Sequence, residues 1–223
     1  LYWPLVRERL LPCLEEAYPL ALVSPSLVSG ETLRDALRRV LEGLMGGGAL
    51  DAYPELRRME GVMRKGYVTL VSELLLTLAE ERGRIARTFL GGQDFGRVTK
   101  VRLPDATNAS TRPGGRTTLL LESESGNFYY KPRSCEMEAL YGRVTARLLP
   151  ELGPGVRFVA GRRSSFVEGI VGSPARTAEE AEAYDERLGM LSALCLALHA
   201  GDMHPGNVVA CGSVPVPVDL ECL

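Results

Sequence analysis

The sequence predicts an α+β chain, helical first and strand-rich afterwards, with a polar site near its end. Three observations carry this. Helix-period apolar stripes run through residues 1–90, and from Gly96 the chain changes to short β-rich runs joined by tight turns. Third, the stretch "GDMHPGNVVACGSVPVPVDLE", residues 201–221, sets an Asp, a His, an Asn, a second Asp and a Glu among Val, Gly and Pro. Polar groups that dense between apolar runs mark a site rather than a surface.

In the helical part, "TLRDALRRVLEGLM" places Leu33, Leu37, Val40, Leu41 and Leu44 on one stripe. The glycines and proline of "GGGALDAYP" (46–54) break that helix. A longer one starts near Glu55 with Met63, Tyr67, Leu70, Val71, Leu74 and Leu78 on its buried face. Next, "RTTLLLES" and "NFYYKPR" read as a hairpin turning near Ser125-Gly126. A helix from Cys135 to Leu149 is ended by Pro150, and "RFVAG" and "SSFVEGI" give two short strands. Thr177 with Glu180 forms a capping box. The helix it starts buries Tyr184, Leu188, Leu191, Leu194, Cys195 and Leu198 and ends at Gly201.

Composition bounds the function. A length of 223 residues suffices for one large domain or two lobes around a cleft. Hydrophobic content of 45% and charged content of 24% are those of a soluble globular protein. A net charge of −2 supplies no field for nucleic acid. The five cysteines (Cys13, Cys135, Cys195, Cys211, Cys222) are scattered and never spaced as CxxC, which fits reduced thiols and a cytoplasmic location. No apolar run reaches the ~18–20 residues of a membrane span, and no signal peptide is visible. The chain opens without Met and stops two residues after Glu221, so it is expected to be part of a longer polypeptide that continues beyond residue 223.

The polar stretch can be folded from its spacing. With a turn at Gly212-Ser213, residues 208–211 pair antiparallel with 214–218 and bring Asn207 and Asp219 together at the open mouth. Pro215 and Pro217 remove N–H groups from one edge only, leaving Val216 and Val218 to bond the partner strand. An amide and a carboxylate held side by side offer hard oxygens suited to Mg²⁺. Asp202 lies five residues before Asn207, the Asp-to-Asn interval of the protein-kinase catalytic loop, where the Asp takes the hydroxyl proton and the Asn binds metal. Lys131, at a strand end, stands where a kinase-like fold places its phosphate-binding lysine. A carboxylate from the next helix should hold it, either Glu136 or Glu138. Arg133, two residues on, lies on the same strand face and can offer phosphate a bidentate fork. His199 reads as a favourable helix end, and Gly114-Gly115 first as a plain turn, second as a phosphate-covering loop.

Beyond these residues, "YPEL", "GGRTTLLL", "FYYKPRS", "FVEGI", "GDMHPGNVVACG" and "VPVDLE" fall in an order that resembles the dehydratase domain of class II lanthipeptide synthetases (LanM-type enzymes) over about residues 50–223. The resemblance implies a kinase-like two-lobed fold, related to lipid and protein kinases, with additional N-terminal helices. Residues 1–95 would be the helical N-terminal region, 96–175 the β-rich N-lobe with Lys131, and 176–223 the start of the C-lobe. It implies ATP- and Mg²⁺-dependent phosphorylation of Ser and Thr in a ribosomally made precursor peptide, followed by elimination to dehydroalanine or dehydrobutyrine. Zinc would belong only to a cyclase domain that this chain does not contain. Lys131 and Glu138 would serve ATP, Asp202 and the nearby His204 phosphoryl transfer, and Asn207, Asp219 and Glu221 the metal. Asp105 stands in the segment tied to elimination, with Thr107 where that family carries His, and "RRSS" replaces its Tyr-Gly-Trp before "FVEGI". Two other readings use the same residues. One is a small-molecule phosphotransferase of the aminoglycoside or choline kinase type, which "HAGDMHPGN" also resembles. The other is a non-catalytic peptide-binding relative.

Overall fold

The computed structural model describes residues 54–104, 116–201 and 203–220. The stripe from Leu33 to Leu44, the glycine break after it, Asp105, Thr107, Gly114, Gly115, Asp202 and Glu221 lie outside the described residues. Two compact units are distinguished. One holds the first helix as far as Glu73 together with 102–104 and 116–117; the other holds Leu74–Val101 and residues 118–220.

The first helix, α1, spans Pro54–Phe89. Its apolar stripe behaves as the spacing predicts: Leu70 and Leu74 are buried and Met63, Tyr67, Val71 and Leu78 half-buried. In the first unit, Glu73 is ion-paired with Arg116.

The second unit is built on a five-stranded sheet in the order β1-β2-β3-β5-β4. Its strands are β1 Val98–Arg102, β2 Leu119–Ser123, β3 Gly126–Lys131, β4 Phe158–Ala160 and β5 Ser165–Glu168. The β2–β3, β3–β5 and β4–β5 pairings are antiparallel. Side chains alternate along a strand, so β3 sends Phe128 and Tyr130 to one face and Tyr129 and Lys131 to the other. The first face is aromatic. Phe128 meets Phe95 at 5.4 Å and Phe166 at 5.8 Å, edge to face in both pairs. On the second face Cys135, Val156 and Val167 form a small core, joined by Tyr129, Ile170, Val216 and Val218. β1 was not foreseen, because its residues are mostly exposed and carry no apolar alternation.

Helix α2, Glu136–Leu148, follows β3 directly and ends just before Pro150. Helix α3 is Ala178–Ala197. Its Thr177 hydroxyl accepts the Glu180 N–H at 3.2 Å, while Glu180 reaches back past the cap to the Arg176 N–H, where a full capping box would bond the Thr177 N–H. Tyr141, Leu152, Leu191, Leu194, Cys195 and Leu220 form a second core between these helices.

The end of α3 differs from the expectation of a stop at Gly201. The helix closes in a Schellman turn, with Ala200 N–H bonding the Cys195 carbonyl and His199 N–H the Leu196 carbonyl. The left-handed residue is therefore His199, at φ +56°. Turning there lets Leu198 and Ala200 both pack on the second core, which a helix running to Gly201 would not allow. A side chain in this region costs about 1 kcal/mol that glycine escapes. His199→Gly is expected to raise stability by about 0.5–1 kcal/mol and His199→Val to lower it, read as opposite shifts of the urea midpoint.

Candidate functional site

The hairpin folds in the expected register. β6, Val208–Cys211, pairs antiparallel with β7, Val214–Pro217, and Cys211 faces Val214 across the turn. Gly212 takes the first turn position at φ +60°, where a tight hairpin favours glycine. Val218 N–H bonds the Asn207 carbonyl at 2.9 Å, so the ladder extends to the mouth and sets Asn207 beside the Val218-Asp219 step. The outer edge of β6 is occupied as well: Ser173 N–H bonds the Ala210 carbonyl and Gly212 N–H the Ser173 carbonyl. Arg187 of α3 fastens the tip by donating to the Ser213 carbonyl and hydroxyl at 2.7 and 2.6 Å. Asp219 is then pinned from both sides, since Val218 packs on the Cys135 core and Leu220 lies in the Tyr141 core.

Among the described residues, four charged side chains meet where this mouth faces the end of β3. Lys131 Nζ donates to Asp219 Oδ1 at 2.8 Å and to the Val218 carbonyl at 3.0 Å. Arg133 donates from both terminal nitrogens to the two oxygens of Glu138, at 2.9 and 2.6 Å, and from one of them to Asp219 Oδ1 at 2.8 Å. Lys131 stands 3.7 Å from Glu138, near enough for an ion pair but not for a hydrogen bond. Among the described residues two cations meet two carboxylates, the kind of pairing by which charge is accommodated in an interior. The side chains of Glu138, Lys131 and Arg133 are 1%, 7% and 10% exposed, whereas that of Asp219 is 35% exposed. The cluster thus opens to solvent at Asp219.

Local sequence explains the convergence. Pro132 follows Lys131 and ends the strand, and the short link through Ser134 leads into α2. Glu138 sits in the first turn of α2, where a carboxylate is favoured by the helix dipole. The sequence leaves Glu136 and Glu138 as equals; the helix turns Glu136 to solvent and buries Glu138. Ser165, opposite Lys131 in the ladder and fully buried, donates to the Arg133 carbonyl at 3.0 Å. Neither this serine nor the Val218 carbonyl was singled out from sequence. A serine opening the apolar run "SFVEG" was the available signal for the first.

The charges set one another's protonation. Burial works against the Asp219 anion, but Lys131 and then Arg133 outweigh it and hold the carboxyl below its ordinary value. Burial likewise opposes the Arg133 cation, and Glu138 and Asp219 more than offset it, raising its pKa further. Burial, reinforced by the Glu138 charge, pushes the Cys135 thiol up to about 11, so it is no thiolate nucleophile at neutral pH. A depressed carboxylate stabilises the fold fully above its unfolded pKa, and that contribution is lost as pH falls through the folded value. Acid unfolding of the wild type is therefore expected to begin below about pH 4. In Asp219→Asn this part of the pH dependence should be missing from urea titrations between about pH 5 and 2.

His204 is exposed and caps the short turn Pro205–Asn207, its Nδ1 accepting the Gly206 N–H at 3.1 Å. The proton of the neutral ring is thereby assigned to Nε2. His199 is an exposed helix terminus. Arg133, expected to present its fork to phosphate, presents it to Glu138. Among the described residues no set of three His, Cys, Asp or Glu is arranged to hold a metal ion. The donor chemistry for Mg²⁺ is nonetheless met, because that ion needs few protein oxygens. Both cations engage Asp219 Oδ1; Oδ2 accepts no hydrogen bond among the described residues, and the Asn207 carbonyl bonds the N–H of the preceding residue, Val218.

Fold and site define a mixed α/β domain in which a strand-end lysine, a helix carboxylate and a hairpin carboxylate share one buried charge cluster. The chain belongs to the family described as "Domain of unknown function (DUF4135)", which matches residues 53–223. That domain is associated with lanthipeptide synthetase (LanM-like) proteins. No curated protein matches the chain significantly. Among the described residues no helix is long and apolar enough to cross a membrane.

Proposed function

We propose that the chain is a kinase-like dehydratase domain that phosphorylates Ser and Thr of a ribosomally made precursor peptide with ATP and then eliminates the phosphate. The observation that carries this reading is the Lys131–Asp219 contact at 2.8 Å, with Glu138 beside it. A strand lysine, a helix glutamate and a post-hairpin aspartate are the parts that hold nucleotide phosphates and metal in kinases. The five-stranded sheet with α2 leaving β3, and the family's association with LanM-like proteins, support the same fold and chemistry.

In this reading Lys131 orients the phosphates, and Asp202 accepts the proton of the attacking hydroxyl. The Ser or Thr oxygen forms a bond to the γ-phosphorus as the bridging bond to ADP breaks. Asn207 and Asp219, with Glu221, would hold Mg²⁺, which when bound neutralises charge on the phosphate oxygens. Elimination follows when a base removes the α-proton and the Cβ–O bond breaks, phosphate leaving with the electron pair and Cα=Cβ forming. Asp105 belongs to the segment assigned to that half-reaction. Because its positioning and binding parts are electrostatic, the site needs no covalent intermediate on the protein.

The test is mass spectrometry of a Ser/Thr-rich precursor peptide incubated with the full polypeptide, ATP and Mg²⁺. Gain of phosphate or loss of water on the peptide supports the proposal. Phosphate appearing only on small alcohols or aminoglycosides would reassign the site to a small-molecule phosphotransferase. An unmodified peptide together with no Mg²⁺-dependent ATP binding would leave a non-catalytic module.

A further inference from the structure

The buried cluster contains one more cation than a strand lysine and its helix carboxylate require. In the kinase template the lysine itself pairs with the helix glutamate. Here Glu138 is taken by Arg133, which fills both carboxylate oxygens at 2.9 and 2.6 Å, while Lys131 stays 3.7 Å away. A lysine carries three N–H donors. Two of them go to Asp219 and the Val218 carbonyl, and the third has no hydrogen-bond partner among the described residues. Guanidinium suits this task better than ammonium, since its planar fork matches a carboxylate in two parallel bonds. The fork is held from behind by its own backbone, as Ser165 donates to the Arg133 carbonyl, and Arg133 also donates to the Ser134 carbonyl at 2.9 Å.

We propose that Arg133 is a positioning residue that occupies Glu138 and so keeps Lys131 on Asp219 with a donor available for phosphate. The role assigned to Lys131 rests on the phosphotransferase reading above; the charge arrangement itself does not. Glu138 is almost fully enclosed and cannot remain an unpaired anion. Once Arg133 is removed, the nearest cation is Lys131, and a move of about 1 Å closes 3.7 Å to hydrogen-bond length. Lys131 is then drawn from Asp219 and from the phosphate path. Removing Glu138 as well takes away the competitor and returns Lys131 to Asp219.

The experiment uses the full polypeptide in four forms: wild type, Arg133→Met, Glu138→Gln and the double variant, each checked for folding by circular dichroism. Peptide phosphorylation is expected to fall about 100-fold or more in Arg133→Met and to be regained about 10-fold when Glu138→Gln is added to it. A crystal structure of Arg133→Met is expected to place Lys131 Nζ about 3 Å from Glu138 and off Asp219. If Arg133→Met does not fold, a structure of the double variant carries the test: Lys131 Nζ is expected on Asp219, and its absence from Asp219 there overturns the proposal. A double variant no better than Arg133→Met overturns the proposal. So does Lys131 remaining on Asp219 in the Arg133→Met structure. An inactive wild type whose lysine nevertheless shifts in Arg133→Met would sink the phosphotransferase reading and leave the Arg133 assignment standing.

Discussion

Replacing Lys131 with methionine is expected to lower peptide phosphorylation by about 1,000-fold while leaving a folded protein. Methionine keeps the length and apolar stem of the side chain but removes the cation that bonds Asp219 and the Val218 carbonyl. Loss of one well-placed electrostatic donor costs about 10²–10³-fold in rate, and in the proposed reading this donor orients both phosphate and Asp219. The stability cost follows from the charges left behind. Arg133 alone would face Glu138 and Asp219, and breaking a fully buried pair costs about 3–5 kcal/mol. The cost here should be smaller, because Asp219 is 35% exposed and Arg133 already bonds both carboxylates. Phosphate incorporation measured beside a thermal melt separates the two effects. Activity within 10-fold of wild type would remove Lys131 from the site.

Asp219→Asn should be as damaging to activity and milder for the fold. The amide oxygen can still accept from Lys131 and Arg133, and the flanking anchors Val218 and Leu220 are untouched. Only the negative charge is lost, so phosphorylation should drop by about 1,000-fold and excess Mg²⁺ should not restore it. The same variant should lack the acid-range loss of stability described above, since its residue 219 no longer titrates. Recovery of activity at high Mg²⁺ would mean that Asp219 tunes affinity for the ion and is not required for the step.

Much of this arrangement was legible because each element carries its own chemistry. The 208–217 hairpin followed from Gly212 at the turn and from two prolines that leave only one edge able to pair. The start of α3 followed from Thr177 and Glu180, and the faces of α1 and α3 from their 3.6-residue period. What escaped depends on three-dimensional competition that spacing does not encode. Glu136 and Glu138 are two residues apart in one helical turn, and only the direction in which α2 leaves β3 decides which is buried. Arg133 suits phosphate and carboxylate equally well by chemistry, and the nearer carboxylate holds it. The end of α3 was missed because glycine is the usual left-handed residue and here a histidine takes that place to keep Leu198 and Ala200 on the core.

The proposed phosphate-binding site lies between the end of β3 and the mouth of the β6–β7 hairpin. A structure of the full polypeptide with Mg²⁺ and a non-hydrolysable ATP analogue tests it most directly. The account predicts a nucleotide phosphate on Lys131 Nζ, with the metal on Asn207 and Asp219 and the Arg133–Glu138 fork intact. Nucleotide bound away from Lys131, or a metal that touches neither Asn207 nor Asp219, would contradict it.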